Sequence, residues 1–189
     1  RNLNWGKHIE TLANKVSRNA GILYKIRGTV SDKVLKLIYD SFIQSHLNYC
    51  SAVWGLGSKH SIQKLFAAQK KAVRGINTGD CQFYFDTDTC STPSHTKSTF
   101  NKHSILALPN LIAKNNLIMM HKIRLMVAPI RIREMFNVVD TNVPRRKPVY
   151  FEPPYNRLKK SDKTLKYKGP ILYNNVINEL NTNLPKNVS

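Results

Sequence analysis

From residue 5 to residue 76 the apolar positions return at steps of three and four in three successive runs, which predicts three amphipathic helices. In residues 5–27, Ile9, Leu12, Val16, Leu23 and Ile26 share one face, and Gly28 suits the C-terminal stop. From Ser31 to Asn48 the residues Val34, Leu35, Ile38, Tyr39, Phe42, Ile43 and Leu47 form an almost unbroken apolar stripe, with Ser31 as N-cap and Asp32 in the first turn. The short connection between these two runs predicts an antiparallel hairpin with the stripes facing each other. A third helix is expected over residues 61–76, with Ile62, Leu65, Phe66, Gln69, Val73 and Ile76 inward. Between the second and third helices lies an aromatic corner, Tyr49 to Trp54, followed by the breakers Gly55 and Gly57. Such an aromatic pair after a helix reads first as core and second as a stacking platform.

Beyond this unit, residues 1–79, the pattern changes. Residues 80–104 are rich in Ser, Thr, Asp and Cys without sustained periodicity and predict a loop. Residues 105–140 predict connection helices. Pro109 fits the first turn of a helix reaching about Met126 through Ile112, Leu117, Met120 and Ile123, and a short turn of helix follows Pro129 before an acidic turn at Asp140. Residues 141–189 predict a basic, Pro-rich extended arm or short strands, closed by an amphipathic helix over Pro170–Leu180. The fold class is therefore mainly α.

Charge sharpens the picture. Lys and Arg number 30 against 11 Asp and Glu in 189 residues, a net +19 that opposes compaction and calls for a polyanionic partner. The candidate binding residues are Lys7, Lys15, Arg18, Lys25, Lys64, Lys70, Lys71 and Arg74 on the helices, with Arg145, Arg146 and Lys147 in the arm. No apolar run is long enough to span a bilayer, so no membrane partner is expected. Three cysteines and no signal-like segment predict reduced thiols in an intracellular compartment. A first residue other than methionine fits a fragment.

Candidate chemistry is sparse. Cys81, Cys90, His95 and His103 are four zinc-type ligands in one stretch, yet eight, four and seven residues separate them, without the tight pair that anchors most zinc sites. His46 and Cys50 lie one helical turn apart in an apolar context that predicts a packed thiol rather than a nucleophile. The acids Asp80, Asp86 and Asp88 fall in the loop, no Asp-Asp pair occurs, and no Gly-rich phosphate loop is present.

The helix carrying Leu37, Tyr39, Ser41, Ile43, Leu47 and Tyr49, followed by Trp54-Gly55, resembles the segment after the polymerase palm in reverse transcriptases of non-LTR (LINE-type, jockey-like) retrotransposons. The likeness begins with Leu3, Trp5, His8, Ile9, Leu12, Lys15 and Gly21 and continues through Leu65, Gln69, Ala72, Val73 and Arg74. Tyr167, Gly169, Pro170, Leu172 and Asn174 are similar to a short C-terminal motif of the same elements. The resemblance implies a thumb-like helical bundle that holds a template-primer duplex of RNA and DNA, joined to the rest of the polymerase polypeptide. Catalytic carboxylates and magnesium would lie outside this chain, which has no cofactor of its own and is inactive alone, and an intact element would act in the nucleus. The rival reading is a free-standing basic module derived from such an element, binding nucleic acid or a protein partner without enzymatic activity. A decayed remnant with no selected function is the third.

Overall fold

The computed structural model describes residues 5–76, 93–141, 149–155 and 164–183. It is mainly helical, and the chain divides into two compact units, Arg1–Leu111 and Ile112–Ser189.

In the first unit, α1 (Gly6–Ile26) buries Ile9, Leu12, Val16, Ala20 and Leu23, the face expected from the periodicity. Gly28 follows at φ +93°, a left-handed position suited to glycine. The next helical rod is α2 (Asp32–Tyr39), a π turn (Asp40–Gln44) and α3 (Ser45–Asn48), then the short α4 (Ser51–Trp54) and the long α5 (Lys59–Ile76). The chief partner of α1 is α5 rather than the second rod. The two run parallel: a side chain on Gly57, just before α5, would meet Ile9, and one on Gly75, near the end of α5, would meet Leu23 and Tyr24. The second rod runs back antiparallel and touches α1 where the Asn19 amide donates to the Phe42 carbonyl at 2.8 Å.

Only half of the second rod's stripe is core. Leu35, Tyr39, Ile43 and Leu47 are buried, while Val34 and Phe42 are exposed. The buried four are spaced by four residues each. In a regular α-helix each such step overshoots one turn by about 40°, so four positions would drift off a common line. The π turn corrects this, since the Ser45 amide bonds to the Asp40 carbonyl five residues back and widens the turn. Ser41 and Ser45 donate their hydroxyls to the carbonyls of Leu37 and Ser41, adding partners where the ladder changes step. The spacing of the apolar residues and the local helix type thus share one cause.

The rod ends at Cys50, which adopts φ +50° and is exposed, contrary to the packed thiol expected. Its left-handed backbone turns the chain so that the indole of Trp54 enters the core and donates to the Tyr49 carbonyl at 2.7 Å. Trp54 is core, whereas the Tyr49 ring is exposed. A second departure is α6 (Pro93–Lys102), helical where a loop was expected. Its buried positions, Thr96, Thr99 and Phe100, are followed by buried His103, a helical spacing written in polar residues.

A buried amide ties these elements together. Gln69 Nε2 donates to the Tyr39 hydroxyl at 3.1 Å and to the Leu106 carbonyl at 3.0 Å, and Gln69 Oε1 accepts from the Leu108 amide at 2.8 Å. The Tyr39 hydroxyl donates in turn to Gln44 Oε1 at 3.2 Å. Burial raises the Tyr39 phenol far above its ordinary range, so it stays protonated as a donor.

In the second unit, α7 (Leu108–Arg124), which begins in the first, leads to α8 (Ile130–Arg133), a hairpin of β1 (Asn137–Thr141) and β2 (Val149–Glu152), and α9 (Leu165–Asn183). The strands are antiparallel, with Val138 opposite Phe151, and the register breaks between Val138 and Thr141. Asp140 is therefore strand, not the acidic turn expected. Met120, Ile123, Ala128, Phe136, Phe151 and Tyr173 form the core. α9 starts before Pro170 and carries it inside, at the cost of one backbone hydrogen bond. Gly169 is buried close to Met120, whose Sδ would lie 2.7 Å from a Cβ placed there.

Candidate nucleic-acid interface

On α1 the residues Lys7, Arg18 and Lys25 are separated by 11 and 7 positions, which places them within about 20° of one line, spanning ~27 Å along the helix and opposite its buried face. On α5, Lys64 and Lys71 lie seven apart on the edge nearest α1. Tyr24 marks that edge: its hydroxyl donates to the Lys71 carbonyl at 3.1 Å, and its ring lies against Gly75. Helical spacing puts Ala13, Ser17 and Gly21 on the same side of α1 as Tyr24, and the space above Gly21 is open. The outer seam between α1 and α5 is therefore lined on the α1 side by small residues and edged by Lys64 and Lys71 on α5, while Lys7, Arg18 and Lys25 form a separate exposed row about 100° further round α1. Among the described residues, no ion pair or hydrogen bond engages those five side chains. One anion, exposed Glu10, lies near the seam on α1.

The remaining predicted cations of the helices point elsewhere. Lys15 is exposed but sits a quarter turn away, toward the second rod. Lys70 lies over the Phe66 ring, 4.5 Å from its centroid, and the Arg74 guanidinium donates to the Thr96 hydroxyl at 3.4 Å, so both are drawn toward α6. Arg145, Arg146 and Lys147 lie outside the described residues. Tyr24 and the small residues of the seam went unread in the sequence, because their importance depends on which helix packs beside α1.

Of the zinc-type set, Cys81, Cys90 and the His95 side chain lie outside the described residues, and no metal-ligand cluster is found among those described. His103 is buried, and its Nε2 has no hydrogen-bond partner. Desolvation lowers its pKa first and Lys102 adds to this, with Asp32 opposing and Lys36 acting with Lys102. The folded protein therefore binds fewer protons here than the unfolded chain. Its stability is full above the ordinary histidine value of about 6.5 and is lost as pH falls below it toward the folded value. Thermal melts between pH 7.5 and 5 are expected to show this decline, and His103→Gln should flatten it. An equal decline in that variant would assign the effect to another group.

No helix among the described residues is long and apolar enough to cross a membrane. Comparison with family models, with curated proteins and with solved structures returns no match.

Proposed function

We propose that this chain is the C-terminal, duplex-holding part of a non-LTR reverse transcriptase, gripping an RNA-DNA template-primer on the outer surface of α1 and α5. The observation that carries the reading is two rows of exposed cations, Lys7, Arg18 and Lys25 on the outer face of α1 and Lys64 and Lys71 on α5, none engaged by an anion among the described residues. Charges held on two packed helices cannot collapse onto each other, so an external polyanion is their natural counter-charge. A small-residue floor lets a phosphate backbone approach closely. Carboxylates for metal-assisted phosphoryl transfer would come from the rest of the polypeptide, with magnesium bound there, since this chain has no adjacent Asp pair.

The test is a salt series. The full chain is titrated against a labelled RNA-DNA hybrid from 50 to 300 mM salt, and the slope of log affinity against log salt is compared with that of a variant carrying alanine at Lys7, Arg18, Lys25, Lys64 and Lys71. Each phosphate contact removed is expected to flatten the slope by about 0.7 to 0.9, so five approach four units in total. Alanine at Lys15 and Lys70 should change it by less than about one unit. An unchanged slope in the five-site variant, or equal affinity for an acidic protein, would refute the seam as a duplex site.

A further inference from the structure

At the end of α7 the chain makes a Schellman turn: the Met126 amide bonds to the Ile123 carbonyl at 3.2 Å and the Val127 amide to the Lys122 carbonyl at 3.0 Å. Glycine usually occupies the left-handed position of such a turn, but here it is Met126, at φ +60°. The turn holds apolar side chains out: Leu125, Met126, Val127 and Ile130 are 57%, 61%, 70% and 62% exposed. Beneath them Ile123 and Ala128 are buried in the core, so the tip stands on a fixed base. In the same stretch, residues 122–134, stand Lys122, Arg124, Arg131 and Arg133 with one acid, Glu134. The Arg133 guanidinium reaches back to Met126 Sδ at 3.1 Å, and Arg124 lies over the Tyr150 ring, 4.3 Å from its centroid.

We infer that this turn is a wedge for a nucleic-acid duplex, with Met126 and Val127 entering between adjacent base pairs while Arg131 and its neighbouring cations hold the flanking phosphates. The inference deepens the nucleic-acid reading above and rests on it. A short apolar tip with cations on both sides of it in the chain matches one surface chemistry closely, since base faces are apolar and lie between two lines of phosphate charge. A partner helix would need a longer groove than three consecutive residues supply. Inserting a wedge unstacks one step and bends the duplex, a device suited to holding a primer end.

The experiment uses the full chain and an RNA-DNA hybrid with a single 2-aminopurine, whose fluorescence rises when stacking is lost. At saturating protein the signal should rise severalfold. Met126→Gly combined with Val127→Ser should return it to within about a fifth of the free hybrid while leaving the salt slope unchanged, and Arg131→Ala should flatten that slope by about one unit. Glycine suits the left-handed position, so the double variant keeps the turn, which a thermal melt verifies. Saturation without a fluorescence change, or a change that survives the double variant, overturns the wedge but leaves the seam reading standing. Absence of hybrid binding at low salt removes both. Sedimentation with anionic phosphatidylserine vesicles that depends on Met126, without base unstacking, would reassign the tip to a lipid surface and overturn the wedge.

Discussion

Replacing Gln69 by leucine is expected to lower the unfolding free energy by about 3 kcal/mol, although the substitution is close in volume and adds apolar surface to a buried site. The reason is what the amide leaves behind. The Leu108 amide and the Leu106 carbonyl lose their Gln69 partners, and the Tyr39 hydroxyl keeps only Gln44. Unpaired buried backbone groups cost about 1 to 3 kcal/mol each, far more than the gain from a few extra methylene contacts. Tyr39→Phe should be milder, at about 1 kcal/mol, because the backbone groups stay paired. In a double-mutant cycle the two changes should therefore couple by about 1 kcal/mol. Urea unfolding of the full chain measures all three. A Gln69→Leu loss below about 0.5 kcal/mol would show that the network is ornamental to the core, which its three hydrogen bonds argue against.

The same glutamine shows how far sequence reasoning reaches. Periodicity placed Gln69 on the inward face of its helix, correctly, because helical phase follows from the apolar neighbours Leu65, Val73 and Ile76. It did not reveal the partner, since Leu106 and Leu108 lie in a distant segment and contribute only backbone atoms. The long helices α1, α5 and α7 were legible for the same reason of phase. The π turn was not, although the four-residue spacing of Leu35, Tyr39, Ile43 and Leu47 contains its cause. α6 was hidden because its buried face carries two threonines beside the single apolar Phe100, with His103 just beyond, which a hydrophobicity pattern scores as loop. The cations of the seam were all named from sequence. Helical phase groups them into a row on α1 and a pair on α5, and Lys70 and Arg74 fall out of the set through Phe66 and Thr96.

Asn174 plays in the second unit the part that Gln69 plays in the first, and the second large effect is expected there. β2 pairs with β1 along one edge, and Asn174 serves its backbone from α9. Its Oδ1 accepts from the amides of Tyr150 and Phe151 at 3.1 and 3.2 Å, and its Nδ2 donates to the Phe151 carbonyl at 2.7 Å. One side-chain amide therefore stands in for a neighbouring strand, and it locks Phe151 and Tyr173 into edge-to-face contact, with ring centres 5.3 Å apart. Asn174→Ala should cost about 2 to 3 kcal/mol and should selectively abolish hydrogen-exchange protection at Tyr150 and Phe151. Asn174→Asp separates the two halves of the amide. A carboxylate still accepts from both amides but cannot donate, so the Phe151 carbonyl alone is orphaned and the cost should fall between wild type and alanine. Equal losses for Asp and Ala would mean that the donor to Phe151 carries the whole effect, whereas unchanged protection in both would detach α9 from the hairpin energetically. Gly169 belongs to the same fit, because its close approach to Met120 lies one turn before Tyr173 and Asn174, which meet the strand. Gly169 and Asn174 are thus, in this chain, packing residues: the glycine lies where α9 meets Met120 of α7, and the asparagine holds the backbone of β2.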